Sequence, residues 1–383
     1  MNDVNSATHQ AMASALAQAQ QAVDLSDPNP RVGCVLLDAQ GRLIGQGHTQ
    51  RAGEAHAEVM ALRDAAARGH AVQGATAYVT LEPCSHQGRT GPCCDALLAA
   101  GVGKVVAALS DPNPLVAGQG LERLRAGGVA VELLAADHPH ALQARELNIG
   151  FFSRMQRATP WVRMKVAASL DGKTALPDGS SQWITESAAR RDGHAWRARA
   201  SAVLTGIGTL LEDRPRLDVR LVPTRRQPHL VVVDSGLQTP LDAPIFQPEG
   251  RQVWIYAARP DAARAQALEA LGAQVRYLPG QRADGTATGK VDLAAMLRDL
   301  AQREINELHV EAGHKLNGSF VREGLVDEFL VYLAPKLLGQ GADMASFGPL
   351  ASLAQALPLQ FQSCERVGPD LRILARVTGR DHF

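Results

Sequence analysis

Gly-Glu-Ala-His-Ala-Glu at residues 53–58, Thr-Leu-Glu-Pro-Cys at 80–84 and Gly-Pro-Cys-Cys at 91–94 decide how the first half of the chain is read. One imidazole and two thiolates can hold a zinc ion tetrahedrally and leave its fourth position to water. Zinc lowers the pKa of that water until hydroxide exists near neutral pH. A carboxylate outside the ligand set can then carry protons from the water to a leaving amine. His56, Cys84 and Cys93 fit the ligand roles, and Glu58 fits the proton shuttle.

A His-x-Glu followed by Pro-Cys and a second Cys is the pattern of zinc-dependent base deaminases. That pattern places its cysteines two residues apart, whereas eight residues separate Cys84 from Cys93 here. The insert offers His86 as a rival ligand, and Cys94 rivals Cys93. Cys93 is preferred because it follows Gly91-Pro92 and opens an apolar helix over 95–100, where free N–H groups favour a thiolate. Free cysteines are often merely buried small hydrophobes. Three of the chain's five cysteines within eleven residues, downstream of His-x-Glu, point instead to a metal.

With 383 residues the chain has room for two domains. A formal net charge of zero and 4% aromatic residues advertise neither a phosphate-tracking surface nor a base-stacking platform, so nucleic acid is not expected as a partner. The clustered cysteines suit a reducing compartment better than a disulfide frame. Residues 1–24 are polar without a basic start, and no run is long and apolar enough for a membrane span, so no membrane association and a cytoplasmic location are expected.

Along the chain, Met12, Leu16, Ala19 and Val23 recur at helical spacing over 8–23. Asp27-Pro28-Asn29-Pro30 imposes an extended turn. Asn29 reads equally as a turn former or as an amide gripping a planar base edge. Strands are expected at 32–37 and 43–47 around a hairpin turn, then a helix over 56–67 with His56 and Glu58 in its first turn. Strands at 75–81, 102–109 and 129–134 and a helix at 121–126 complete an α/β domain. His70, His138 and His140 read as lone polar histidines; His48 lies near enough to the motif to be a substrate contact. The stretch 151–160, polar at its centre and ending in proline, marks the domain boundary, giving domains at 1–150 and 160–383.

The second half shows another α/β pattern. Strands are expected at 161–168, 202–205, 230–233, 253–257, 274–277, 308–311, 329–333 and 371–377, and a helix over 186–200 with Thr185 as its N-cap. Residues 279–290 read as a loop. Gly206-x-Gly208 lacks the third glycine of a dinucleotide loop, and Gly313-x-x-x-x-Gly318-Ser319 lacks the lysine of a P-loop. Both are glycine-bearing loops at strand ends that can offer N–H groups to phosphate, or serve as plain turns. No basic residue singles out a 2′-phosphate, so the residues alone leave NADPH and NADH undivided.

Taken together, these residues resemble the bifunctional deaminase–reductases of riboflavin biosynthesis over nearly the whole chain. The likeness rests on residues 27–35, 51–58, 80–94 and 111–114 in the first half. In the second it rests on 165–173, 181–185, 209–220, 309–313 and 334–339. That family carries the long insert between the cysteines, which sides with Cys93. The resemblance implies a cytidine-deaminase-like α/β/α domain followed by a dihydrofolate-reductase-like α/β domain. It implies zinc-dependent deamination of 2,5-diamino-6-ribosylamino-4(3H)-pyrimidinone 5′-phosphate, then NADPH-dependent reduction of the product's ribose to ribityl, in a homo-oligomer (dimer or tetramer). By position, Lys165, Ser181, Arg197, Leu217, Arg220 and Glu311 match the reductase substrate residues, with Lys165 and Glu311 handling the sugar and the two arginines clamping its phosphate. Ala167, Trp183, Thr209, Asp213, Ser235, Gly313, His314, Lys315, Leu316, Asn317, Gly318 and Ser319 match the NADPH positions. Asn29, His48 and Arg89 are the expected substrate contacts of the deaminase. Two positions depart from the pattern: Arg214 replaces a second acid after Asp213, and Glu-Ala-Gly-His (311–314) replaces the commoner Glu-Gly-Gly.

Overall fold

The computed structural model describes residues 2–86, 91–114, 116–282 and 284–383, and divides into two compact units, Met1–Arg157 and Ala158–Phe383. The first unit runs α1 (Asn2–Gln20), β1 (Gly33–Leu37), β2 (Leu43–His48), α2 (Ala57–Ala67), β3 (Thr76–Val79), α3 (Cys93–Ala99), β4 (Lys104–Ala107), α4 (Gln119–Ala126), β5 (Ala130–Leu133), α5 (Pro139–Leu147) and α6 (Ile149–Arg157). Its sheet has the order β2-β1-β3-β4-β5, with β1 antiparallel to both neighbours and β3, β4 and β5 parallel. The core of Val35, Tyr78 and Val106 packs against Met12 and Ala15 of α1. A Cβ at Gly47 would lie 2.5 Å from Met60 Cβ and 2.6 Å from Ala61 N. Only glycine lets α2 lie this close to β2, and this fixes the helix that begins beside His56.

The second unit runs β6 (Trp161–Ser169), β7 (Lys173–Ala175), α7 (Ser187–Arg199), β8 (Ala202–Gly206), α8 (Ile207–Asp213), β9 (His229–Val233), β10 (Val253–Ala257), α9 (Ala262–Glu269), β11 (Ala273–Tyr277), β12 (Pro279–Gln281), β13 (Ala287–Val291), α10 (Leu293–Gln302), β14 (Glu307–Val310), α11 (His314–Arg322), β15 (Glu328–Ala334), β16 (Ala342–Asp343), β17 (Leu359–Val367) and β18 (Asp370–Val377). Its nine-stranded sheet has the order β11-β10-β9-β8-β14-β6-β15-β18-β17. The strands from β11 to β15 are parallel; β18 and β17 extend the sheet antiparallel. The parallel strands read as continuous Val/Leu/Ile runs because helices cover both faces. Met164, Leu204, Val231 and Val310 form the core on one face with Met296 and Phe320; Val203, Val232 and Ile255 form it on the other with Leu210 and Leu268.

Several local expectations change. Residues 151–157 belong to α6, whose Phe151 and Phe152 are buried, so the polar stretch is a helix with one apolar face. Residues 279–291 form the antiparallel hairpin β12–β13, stitched by backbone hydrogen bonds that a Gly/Thr-rich composition does not advertise. The N-cap of α7 is Glu186 rather than Thr185; Thr185 is buried and its carbonyl accepts from Arg190. Among the described residues no helix is long and apolar enough to cross a membrane.

Candidate active sites

In the first unit, the start of α2, the loop after β3 and the start of α3 converge. His56 Nδ1 stands 3.6 Å from Cys84 Sγ and 3.3 Å from Cys93 Sγ, and the Cys93 N–H donates to Cys84 Sγ at 3.3 Å. Zinc held by one imidazole and two thiolates requires N···S separations of roughly 3.5 Å. The trio therefore fits a zinc ion without rearrangement, and it is the one such cluster among the described residues. Cys94 points elsewhere, its Sγ donating to the carbonyls of Pro83 and Gly120, with burial pushing its thiol up to about 12. His86 is exposed and outside the trio. The Cys84 thiol is lowered to about 4, chiefly by the Cys93 hydrogen bond and then by His56, against burial. Glu58, in the first turn of α2, is only 3% exposed. Burial first, and then the charge of Cys84, push its carboxyl up to about 7.

Glu82, two residues before Cys84, braces this site and was not singled out from the sequence. Its buried carboxylate accepts from the N–H groups of Asp111, Gly118, Gly120 and Leu121 at 2.9–3.3 Å, tying the loop after β4 and the start of α4 to the Cys84 segment. The signal was Asp-Pro-Asn-Pro (111–114), which counted toward the family resemblance without pointing to Glu82. Of the expected substrate contacts, Asn29 sits in the turn before β1, where its carbonyl accepts from Ser26 Oγ. His48 ends β2 opposite Gly33, its Nδ1 3.4 Å from Gln18 Oε1. Arg89 lies outside the described residues.

In the second unit, Lys165 on β6 and Glu311 just past β14 meet across adjacent parallel strands. Lys165 Nζ is 3.6 Å from Glu311 Oε2, and Arg197 donates to both Glu311 oxygens, at 2.8 Å to Oε2. Burial alone would raise the Glu311 carboxyl; Arg197 and Lys165 outweigh it and hold it well below the usual range. Arg197 is thus engaged with Glu311 rather than free beside Arg220. Asp218, unread in the sequence although it sits in Arg-Leu-Asp-Val-Arg (216–220), is the organiser of that loop. It is 3% exposed and accepts from Arg216 at 3.0 Å and Arg220 at 2.7 Å, while its carbonyl accepts from Arg197. Leu217 is buried with φ +51°, and Arg251 binds the carbonyls of Arg216 and Leu217. His194 Nδ1 accepts from the Arg220 N–H, and burial, then Arg197 and Arg220, lower its imidazole to about 4. Ser181 lies between β7 and α7.

Beside this cluster a cavity of about 860 Å³ opens along the C-terminal ends of the parallel strands. That volume suits a cofactor. Of the expected cofactor positions, Thr209, Ser235, Gly313, His314, Lys315, Leu316 and Ser319 line it; Ala167, Trp183, Asp213, Asn317 and Gly318 are not on its wall. Asn317 donates to the Met344 carbonyl, and a Cβ at Gly318 would meet Ser346 O at 1.9 Å, so both serve packing. Trp183 is 61% exposed beneath the Arg190 guanidinium. The N-caps of α8 and α11, Gly206 and Gly313, carry no side-chain cap, which leaves first-turn N–H groups open to phosphate. Arg214 caps α8 in the left-handed region and pairs with Asp242, away from that wall.

The family profile of the cytidine and deoxycytidylate deaminase zinc-binding region matches residues 5–109, and that of the RibD C-terminal domain matches 160–373. The riboflavin biosynthesis protein RibD of Escherichia coli is 43% identical, covering 94% of this chain and 96% of its own; that of Aquifex aeolicus is 39% identical, covering 94% and 95%. RibD of Acinetobacter baumannii has a solved structure with TM-score 0.85 at 39% identity, covering 97% of this chain and 99% of its own. The structure of a Thermotoga maritima diaminohydroxyphosphoribosylaminopyrimidine deaminase / 5-amino-6-(5-phosphoribosylamino)uracil reductase aligns with TM-score 0.84 at 29% identity and the same coverage. With both regions in order along it and such identity over almost its full length, the chain belongs to the RibD family, the bifunctional deaminase–reductases of riboflavin biosynthesis.

Proposed function

We propose that residues 1–150 form the deaminase domain and 160–383 the reductase domain, acting in turn on one phosphorylated pyrimidine. The observation that carries the first half is the His56–Cys84–Cys93 trio with Glu58 buried beside it. His56, Cys84 and Cys93 would hold the zinc, which when bound would lower the pKa of a water to make the nucleophile. Glu58 is placed to take the first proton from the attacking water and pass it to the ring nitrogen, then to take the second from the added hydroxyl and pass it to the leaving 2-amino group, which departs as ammonia. A raised carboxyl suits a group that must both accept and return a proton. Asn29, His48 and Arg89 are assigned to the substrate, with Asn29 and His48 on elements that border β1.

In the second half NADPH, when bound, would supply the hydride that reduces the opened ribose. Lys165 donates to the sugar carbonyl, and the ionised Glu311 accepts from sugar hydroxyls while Arg197 keeps it charged and oriented. Asp218 holds Arg216 and Arg220 splayed, and Arg220 receives the ribose phosphate with Ser181 and the Leu217 backbone. Thr209, Ser235, Gly313, His314, Lys315, Leu316 and Ser319 line the cavity and would hold the cofactor, while Ala167, Trp183 and Asp213 are assigned to it on the family resemblance alone. The test is Glu311→Gln: ammonia release from the diamino substrate should persist, while NADPH oxidation with the deaminated product should stop. Undiminished oxidation would remove Glu311 from the reaction. We further propose a cytoplasmic homo-oligomer. Among the described residues β17 pairs only with β18 and leaves Phe361 73% exposed, an open edge that another copy can extend.

A further inference from the structure

The cavity extends well past the reacting groups. The reacting pair, Lys165 on β6 and Glu311 just past β14, lies next to the cavity, whose wall begins two residues after Glu311 at Gly313. From β14 the wall passes β8 and β9 to β10, three strand intervals or about 14 Å at the usual spacing. An extended dinucleotide with its nicotinamide at Glu311 therefore places its adenosine ribose near the end of β10. There the wall is made by Ser235 after β9, Arg259 after β10, and Lys290 of the β12–β13 hairpin. The Arg259 N–H donates to the Ser235 carbonyl at 3.0 Å, which fixes the two loops together. Both cationic side chains are exposed, and neither has a partner among the described residues. The other cations nearby are spoken for or misplaced. Arg264 is bound to the carbonyls of Leu237 and Thr239, Arg322 donates to Ser319, and Lys315 stands at the start of α11, beside the reacting end. Of the acids on the wall, Asp292 is committed to capping α10 through the Ala295 N–H; Glu212 and Glu323 lie on α8 and just past α11.

We propose that Arg259 is the residue that reads the 2′-phosphate of the dinucleotide, with Lys290 on the hairpin as its second cation. A phosphate monoester at this position brings close to two negative charges against a guanidinium that can donate two parallel hydrogen bonds. A free ribose hydroxyl gains nothing comparable. The hairpin that reads as a loop in the sequence thus becomes the outer wall of the cofactor's adenosine end. This assignment rests on the reading of the cavity as the nucleotide site.

The test is titration of the full-length protein with 2′,5′-ADP and with 5′-AMP, followed by calorimetry, for the wild type, Arg259→Ala, Arg259→Lys and Lys290→Ala. Arg259→Ala should weaken 2′,5′-ADP by roughly tenfold to a hundredfold and leave 5′-AMP within about twofold. Arg259→Lys should recover part of the loss, and Lys290→Ala should show a smaller loss of the same selectivity. Equal weakening of both ligands in Arg259→Ala, no weakening of either, or selectivity lost only in Lys290→Ala would overturn the assignment. Failure of the wild type to bind either nucleotide would instead overturn the reading of the cavity itself.

Discussion

Replacing Gly47 by alanine tests whether the zinc site is held by the seating of α2 on β2. The added Cβ would sit 2.5 Å from Met60 Cβ, 2.6 Å from Ala61 N and 2.8 Å from Ala57 O, where ordinary contact begins at 3.4 Å. Two of these neighbours are helix backbone, so the helix as a whole must retreat by about 1 Å. His56 moves with it, because its carbonyl accepts from the Met60 N–H. A retreat of that size carries the Nδ1–Sγ separations of 3.3 and 3.6 Å past the roughly 3.5 Å that zinc sets, and metal sites tolerate only about 0.2 Å. The packing cost should be about 1–3 kcal/mol, and zinc affinity should fall about 10–100-fold. Competition with a chromophoric chelator measures the affinity. All four tryptophans, 161, 183, 196 and 254, lie in the second unit, so unchanged tryptophan fluorescence confirms that the loss is local. A folded Gly47→Ala protein with wild-type zinc affinity would refute the reasoning.

Cys84→Ser should lose zinc, whereas Cys94→Ser should keep it, since Cys84 faces His56 while Cys94 points to the Pro83 and Gly120 carbonyls; metal content by elemental analysis distinguishes them. Arg163→Met should destabilise the second unit by about 3 kcal/mol in urea unfolding. It strips a cation from Glu307 and Glu328, all three side chains being at most 1% exposed, though Arg199 and Arg376 remain. The second unit should also lose stability in acid. His194 is lowered from 6.5 to about 4 and Glu311 is held well below its ordinary range, so in both cases the unfolded chain binds the proton first. Their contributions are therefore complete above pH 6.5, decline through about 4 and continue to fall below it. Tryptophan-monitored melts that are flat from pH 7 to 4 would contradict this.

The metal centre was legible because its ligands are rare residue types held in short motifs, and the parallel strands were legible because burial on both faces makes them continuously apolar. What escaped was held together by backbone or by pairs of common charges. β17 reads Leu-Gln-Phe-Gln-Ser-Cys-Glu-Arg-Val and is exposed on both faces, so it has no alternation to detect. The β12–β13 hairpin has loop composition and is defined by its hydrogen bonds. Glu82 and Asp218 look like surface acids until the fold wraps N–H groups and arginines around them. α10 was readable: Leu293, Met296, Leu297 and Leu300 are buried at helical spacing, a pattern the strand-centred reading passed over.

The most direct test of two linked activities is NADPH absorbance after adding the diaminopyrimidinone ribosyl phosphate to zinc-loaded protein, in the wild type and in Glu58→Gln. The account predicts steady loss of absorbance in the wild type. In Glu58→Gln it predicts a rate lower by about 10²–10⁴-fold, restored when the deaminated product is supplied directly. Wild-type consumption of NADPH by Glu58→Gln from the diamino substrate would contradict it.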